Sequence, residues 1–213
     1  MKIFKILCIS AFCFFSSVQA QDRGFFELNK KEVIDCLFEL LQGAEQQIYH
    51  EGPLTQLDHV LECAYLATEM SDDEEFIIAS LLHNIGFLCG DFEAEMPGST
   101  ERMMDKEIGA TFLSDCGLSA RICELTKGSL QGKRYLAYKD PFFIKNLSSY
   151  DLEILEKQGG PMTEEEAQYF ERDPYFEEKL LLHECDQGSH QIDIIVPNLE
   201  SYKSLLEKHI HLE

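Results

Sequence analysis

The run Ser71-Asp72-Asp73-Glu74-Glu75-Phe76-Ile77-Ile78-Ala79-Ser80-Leu81-Leu82-His83-Asn84-Ile85-Gly86 decides the fold. Acidic residues open it, where the unpaired N–H groups of a helix N-terminus favour negative charge. Ser71, with Glu74 three residues on, has the spacing of a capping box. From Phe76 to Leu82 only Ser80 is polar, so this helix is apolar on every side and belongs at the centre of a core. Gly86 and Gly90 are expected to end it. The polar groups His83 and Asn84 therefore sit at the inner end of the most buried helix.

Reading outward, the neighbours are helical too. Lys30 to Ile48 carries Val33, Ile34, Leu37, Phe38, Leu40 and Leu41 at helical spacing. Thr55 with Asp58 caps a helix running to about Met70, and Thr163 with Glu166 caps another. Met104 to Leu113, Leu118 to Leu125, a helix started by Pro174 and reaching about Asp186, and Tyr202 to His209 complete the set. Ile192 to Val196 is the one strand-like run. No repeat, linker or low-complexity segment interrupts the pattern, which predicts a single all-α domain.

The first twenty residues read differently. Lys2 and Lys5 precede the apolar run Ile6 to Phe15, and Val18 and Ala20 are small residues at the −3 and −1 positions of a cut after Ala20. This is the layout of a secretory signal peptide, and the apolar run is shorter than the ~20 residues a membrane span needs. The expectation is residues 1–20 as leader and 21–213 as the domain, exported to a secreted or periplasmic location. Cleavage would remove two of the 18 basic residues and none of the 39 acidic ones, taking the net charge from −21 to −23. Such acidity argues against a nucleic-acid partner, whose phosphates the protein would repel. No apolar stretch is long enough for an integral membrane protein. Of eight cysteines, six lie beyond the leader, and none forms a C-x-x-C pair, which speaks against a zinc knuckle or a thioredoxin-like motif.

His59 and His83 stand out for chemistry, because histidines on facing helices are where a bundle holds a metal. His183, His190, His209 and His211 read as exposed, and Lys133-Arg134 reads equally as an anion site or a solvated helix end. Tyr49-His50-Glu51-Gly52-Pro53-Leu54-Thr55-Gln56-Leu57-Asp58-His59 followed by Leu82-His83-Asn84-Ile85-Gly86 resembles the HD-domain superfamily. More narrowly, the chain is similar to the mixed-valence diiron 2-amino-1-hydroxyethylphosphonate oxygenases. That similarity rests on Tyr49 and His59, Lys133-Arg134-Tyr135-Leu136, Gln158-Gly159-Gly160-Pro161-Met162, Glu165-Glu166 with Phe170-Glu171, and Asp186, and it runs from about residue 30 to 190. It implies an HD-type helical bundle, a metal set of His59, His83 and Asp186, and a ligand pocket at Tyr49, Gln56, Lys133 and Gln158.

Against that family, ligand positions are replaced. The resemblance puts Asn84, Lys106 and Ser129 where three metal ligands are expected, Phe87 where a further histidine is expected, and Asp151 and Ile154 where phosphonate-pocket serines are expected. A neutral amide cannot offset iron charge, and an ammonium about 4 Å from a metal costs about 4 kcal/mol per unit charge pair at an effective dielectric near 20. The expectation is therefore no dinuclear site, no activity in the family reaction and no cofactor. Lys106 would pair with Asp186, and the protein would bind a small anionic molecule or a protein partner. The alternative is one iron or manganese ion held by His59, His83 and Asp186, with Asn84 as a weak donor, in a mononuclear phosphohydrolase or oxygenase.

Overall fold

The computed structural model describes residues 29–49, 54–89, 101–189 and 194–212, with backbone alone at 101–105 and at 150. The expected leader, Glu51, Gly52, Gly90 and His190 lie outside these residues. Helix α1 (Lys30–Gly43) is opened by an Asn29–Glu32 capping box, and α2 (Gln56–Met70) by the expected Thr55–Asp58 box. Helix α3 (Glu74–Leu82) starts one step differently from the expectation. Its cap is Asp73, whose carboxylate accepts from the N–H groups of Glu75 and Phe76, while the Ser71 hydroxyl accepts from Asp73 N–H. Arg121 binds the same carboxylate and fixes it there as the charged acceptor.

Every residue from Phe76 to Leu82 is buried, as the pattern requires. The helix stops at His83 rather than at a glycine, turns through Asn84, and resumes as α4 (Ile85–Cys89). Gly86 lies inside α4 and serves packing. A Cβ on Gly109 of α5 (Glu101–Asp115) would meet Gly86 N at 3.0 Å. After α6 (Ala120–Leu125) come three helices that periodicity does not announce: α7 (Gly128–Lys139), α8 (Pro141–Asn146) and α9 (Ser149–Lys157). Then follow α10 (Glu164–Phe170), opened by the expected Thr163–Glu166 box, α11 (Phe176–Gly188) and α12 (Lys203–His209). Pro174 lies in the turn before α11, where Asp173 accepts from Tyr175 N–H.

The fold is the expected all-α HD-type bundle. No strand occurs among the described residues. Residues 194–196 of the strand-like run are irregular, and Ile195 is 95% exposed. No described helix is long and apolar enough to cross a membrane.

Helix α11 packs most extensively on α7, and also on α2 and α3. Gly128 and Gly132, one turn apart, make the α7 contact possible. A Cβ on Gly128 would meet Lys179 Cα at 2.9 Å, and one on Gly132 would meet His183 Cβ at 2.6 Å. Glycine here removes the side-chain layer that normally holds helix axes 8–10 Å apart. The approach brings α7's Ser129 and Lys133 toward Asp186 on α11. It also buries Lys179, whose ammonium pairs with Asp173 at 2.7 Å and Glu124 at 3.5 Å. Helix α10 covers α7 through Tyr135, Met162, Ala167 and Phe170.

Candidate functional site

His59, His83 and Asp186 come from α2, the end of α3 and α11, and they converge. His59 Nε2 lies 3.0 Å from Asp186 Oδ1, His83 Nε2 lies 3.2 Å from the same oxygen, and the two Nε2 atoms are 3.2 Å apart. Their ring positions are set by hydrogen bonds on the other nitrogen. His83 Nδ1 donates to the Ser80 carbonyl at 2.7 Å, since a carbonyl only accepts. The Ser189 hydroxyl donates to Asp186 O at 2.7 Å and so accepts from His59 Nδ1 at 2.9 Å, with Ser189 O at 3.2 Å as a second acceptor. In the neutral rings both Nε2 atoms are therefore bare lone pairs, as second-shell partners fix them in metal sites.

Three electron-rich atoms facing one another without a cation would repel. Burial holds the His83 imidazole below its ordinary pKa, against the pull of Asp186, so it favours the neutral form. Burial pushes the Asp186 carboxyl up, but hydrogen bonding to a proton on the His59 and His83 rings outweighs this and holds it well below the usual carboxylate range; a metal ion would take that proton's place. Neutral imidazoles with an ionised carboxylate are the donor set a metal ion needs. The spacing also fits. Three donors about 2.1 Å from a common centre at right angles lie about 3.0 Å apart, against the observed 3.0 to 3.2 Å. Both histidines are buried, while the Asp186 side chain keeps 17% exposure on the cavity side. The Tyr49 ring stacks on His59 with centroids 3.8 Å apart and 10° between planes.

A cavity of about 80 Å³ opens beside this cluster. All four expected pocket residues, Tyr49, Gln56, Lys133 and Gln158, line it, and so do the replaced positions Asn84, Lys106 and Ser129. Phe87, Asp151 and Ile154 line it as well. Leu130 and Gln187 are lining residues that sequence reasoning missed. Gln187 follows Asp186 directly, which is the one signal that pointed to it.

Lys106 departs from expectation. Its ammonium donates to the His83 carbonyl at 2.6 Å and to Asn84 Oδ1 at 3.1 Å, whereas Asp186 is faced by the two histidines. The reason is local, because the last carbonyls of a helix lack intrahelical donors and form the negative end of its dipole, and the His83 carbonyl at the end of α3 finds its donor in Lys106. Lys133 and Arg134 are buried, not solvated. Lys133 pairs with Asp151 at 3.2 Å, and Arg134 with Glu166 at 2.9 Å. His183 is 1% exposed, packed between Gly132 and the Phe143 ring, contrary to its exposed reading. His209 bonds Glu74 at 2.8 Å, and His211 is exposed as expected. All six cysteines after residue 20 are free thiols.

A helical bundle that gathers two histidines and an aspartate from three helices beside a small polar cavity defines an HD-type domain with a candidate metal site. Comparison of sequences agrees. The chain is 32% identical over 177 residues to a hydroxymethylphosphonate dioxygenase of Gimesia maris, covering 83% of this chain and 87% of that protein. It is 26% identical over 182 residues to a 1-hydroxy-2-(trimethylamino)ethylphosphonate dioxygenase, glycine-betaine-forming, of Leisingera caerulea, covering 85% and 92%. It is 31% identical over 175 residues to an uncharacterised protein of Acanthamoeba polyphaga mimivirus, covering 82% and 78%. No family model matches. The chain belongs to the phosphonate dioxygenase family of HD-domain proteins.

Proposed function

We propose that this protein is a single-metal member of its family, an oxygenase-type enzyme that presents a small hydroxylated ligand to one iron or manganese ion. The observation that carries this is the convergence of two imidazole nitrogens and a carboxylate oxygen within 3.2 Å of one another. When bound, the ion would supply open positions for ligand and dioxygen, the usual use of a two-histidine, one-carboxylate set. His59, His83 and Asp186 hold it, Ser80 and Ser189 orient the rings, and Tyr49 covers His59. Lys106, held by Asn84 and the end of α3, supplies a fixed positive charge where the family resemblance expects ligands of a second metal. The ammonium excludes a second cation by repulsion and offers an anionic ligand a partner.

A second reading, binding without turnover, is favoured by the same Lys106–Asn84 pair, because the relatives' reaction would lack its second ion. One experiment separates the two. Protein purified without chelator is analysed for metal, then offered hydroxymethylphosphonate, 2-amino-1-hydroxyethylphosphonate and glycerate under air. About one ion per chain, lost in His59→Ala and Asp186→Asn, with ligand-dependent oxygen consumption, supports the enzyme. One ion without oxygen consumption supports the binder, and metal-free wild-type protein that still binds ligand refutes the metal site.

A further inference from the structure

We propose that Asp151 sets the ligand class of the cavity, turning it from a phosphonate dianion toward a small hydroxylated monoanion, such as a short hydroxy acid, with an uncharged second end. This rests on the reading that the cavity and the metal cluster form one ligand site.

Two cationic subsites line the cavity, and they differ in balance. Around Lys106 and the metal cluster, Asp186 is the counter-charge, so a bound ion leaves a positive excess that suits one anionic group. At Lys133 the balance is already closed. Its ammonium donates to Asp151 Oδ1 at 3.2 Å, and Asp151 Oδ2 accepts the Ser148 hydroxyl at 2.6 Å. Asp151 N–H in turn donates to Ser148 Oγ at 3.0 Å, which fixes the carboxylate at the start of α9. A dianion placed against Lys133 would meet this carboxylate at close range in a half-buried setting, where like charges repel strongly.

The neighbouring polar group points to a neutral partner. Gln158 is 7% exposed and lines the cavity, and its carboxamide oxygen has no hydrogen-bond partner among the described residues. A buried unpartnered amide is costly and is relieved by a hydroxyl or amide group. The cavity of about 80 Å³ limits the ligand to a few heavy atoms, given about 10–15 Å³ for each water-sized group.

Calorimetric titration of the metal-loaded protein with glycerate and with hydroxymethylphosphonate tests this. Wild-type protein is expected to bind glycerate more tightly. Asp151→Asn keeps the shape and unmasks Lys133, so it is expected to tighten hydroxymethylphosphonate about tenfold and to leave glycerate within about twofold. A wild-type preference for hydroxymethylphosphonate, or no tightening in Asp151→Asn, overturns the proposal, as does a failure of both proteins to bind either probe. If Asp151→Asn does not fold, Lys133→Gln/Asp151→Asn removes both charges together. Its hydroxymethylphosphonate affinity is expected to match wild type, and a drop below wild type overturns the proposal. Metal content measured on the same samples shows separately whether the single-metal reading has failed.

Discussion

Gly132→Ala tests the packing that builds the site. Alanine is the better helix former, and by propensity alone the change would stabilise α7 by about 1 kcal/mol. The structure predicts the opposite sign. The new Cβ would lie 2.6 Å from His183 Cβ, 3.2 Å from His183 Cγ and 3.3 Å from the Lys179 carbonyl oxygen. The nearest of these atoms is held by the backbone of α11, so a rotamer change does not relieve it. Overpacking of this kind costs about 1–3 kcal/mol, leaving a net loss of up to about 2 kcal/mol. The assay is urea unfolding followed by circular dichroism. His183→Ala added to Gly132→Ala leaves the clash in place, because the Cβ remains. A Gly132→Ala protein at least as stable as wild type would refute the close α7–α11 contact. It would also undermine the positions of Ser129 and Lys133, which ride on α7.

Three further outcomes are expected. Asn84→Asp/Lys106→His replaces an amide and an ammonium with a carboxylate and an imidazole next to His83, and is expected to raise metal content from about one toward two ions per chain by elemental analysis. Arg121→Met leaves Asp73, Glu75 and Glu178 without their common cation and is expected to cost about 1.5–3 kcal/mol at pH 7. The Arg121 bond holds the Asp73 carboxyl below its ordinary value, and burial of Glu75 is outweighed by its Ser119 and Arg121 bonds. Carboxylates with lowered pKa contribute stability above their unfolded values and lose it as pH falls through the folded ones. The gap in melting temperature between wild type and Arg121→Met is therefore expected to be largest near neutrality and to close in acid. We also propose export with cleavage after Ala20, for which mass spectrometry of secreted or periplasmic protein should find Gln21 at the N-terminus.

Much of the site was legible in the sequence, and the reasons are particular. His59 falls on the buried face of a capped helix and His83 at the end of a wholly apolar one, and Asp186 lies on a helix whose end approaches them. The family pattern located Tyr49, Gln56, Lys133 and Gln158 by their order along the chain. The segment from 126 to 158 was far less legible. Its helices are short and weakly apolar, Pro141 opens one of them, and Gly128 and Gly132 carry the signature of helix breakers. Those glycines are helical because α11 occupies the space where their side chains would be. His183 read as exposed for a related reason, since the partner that buries it is a missing side chain.

What the sequence determined by itself is the set of helices around Phe76–Leu82 and their caps at Thr55 and Thr163, while His59, His83 and Asp186 were marked by the family resemblance. The helices and caps follow from local periodicity and from hydrogen bonds spanning three residues. Only the tertiary structure decided the state of those donors and their surroundings. The lone pairs of His59 and His83 face Asp186 because Ser189 and Ser80 occupy the other ring nitrogens. Lys106 goes to the carbonyl end of α3 instead of to Asp186. Lys133 is matched by Asp151 across two helices. Charge partners of this kind are set by distance in space and by the low dielectric around them, and neither is written in the spacing of residues along the chain.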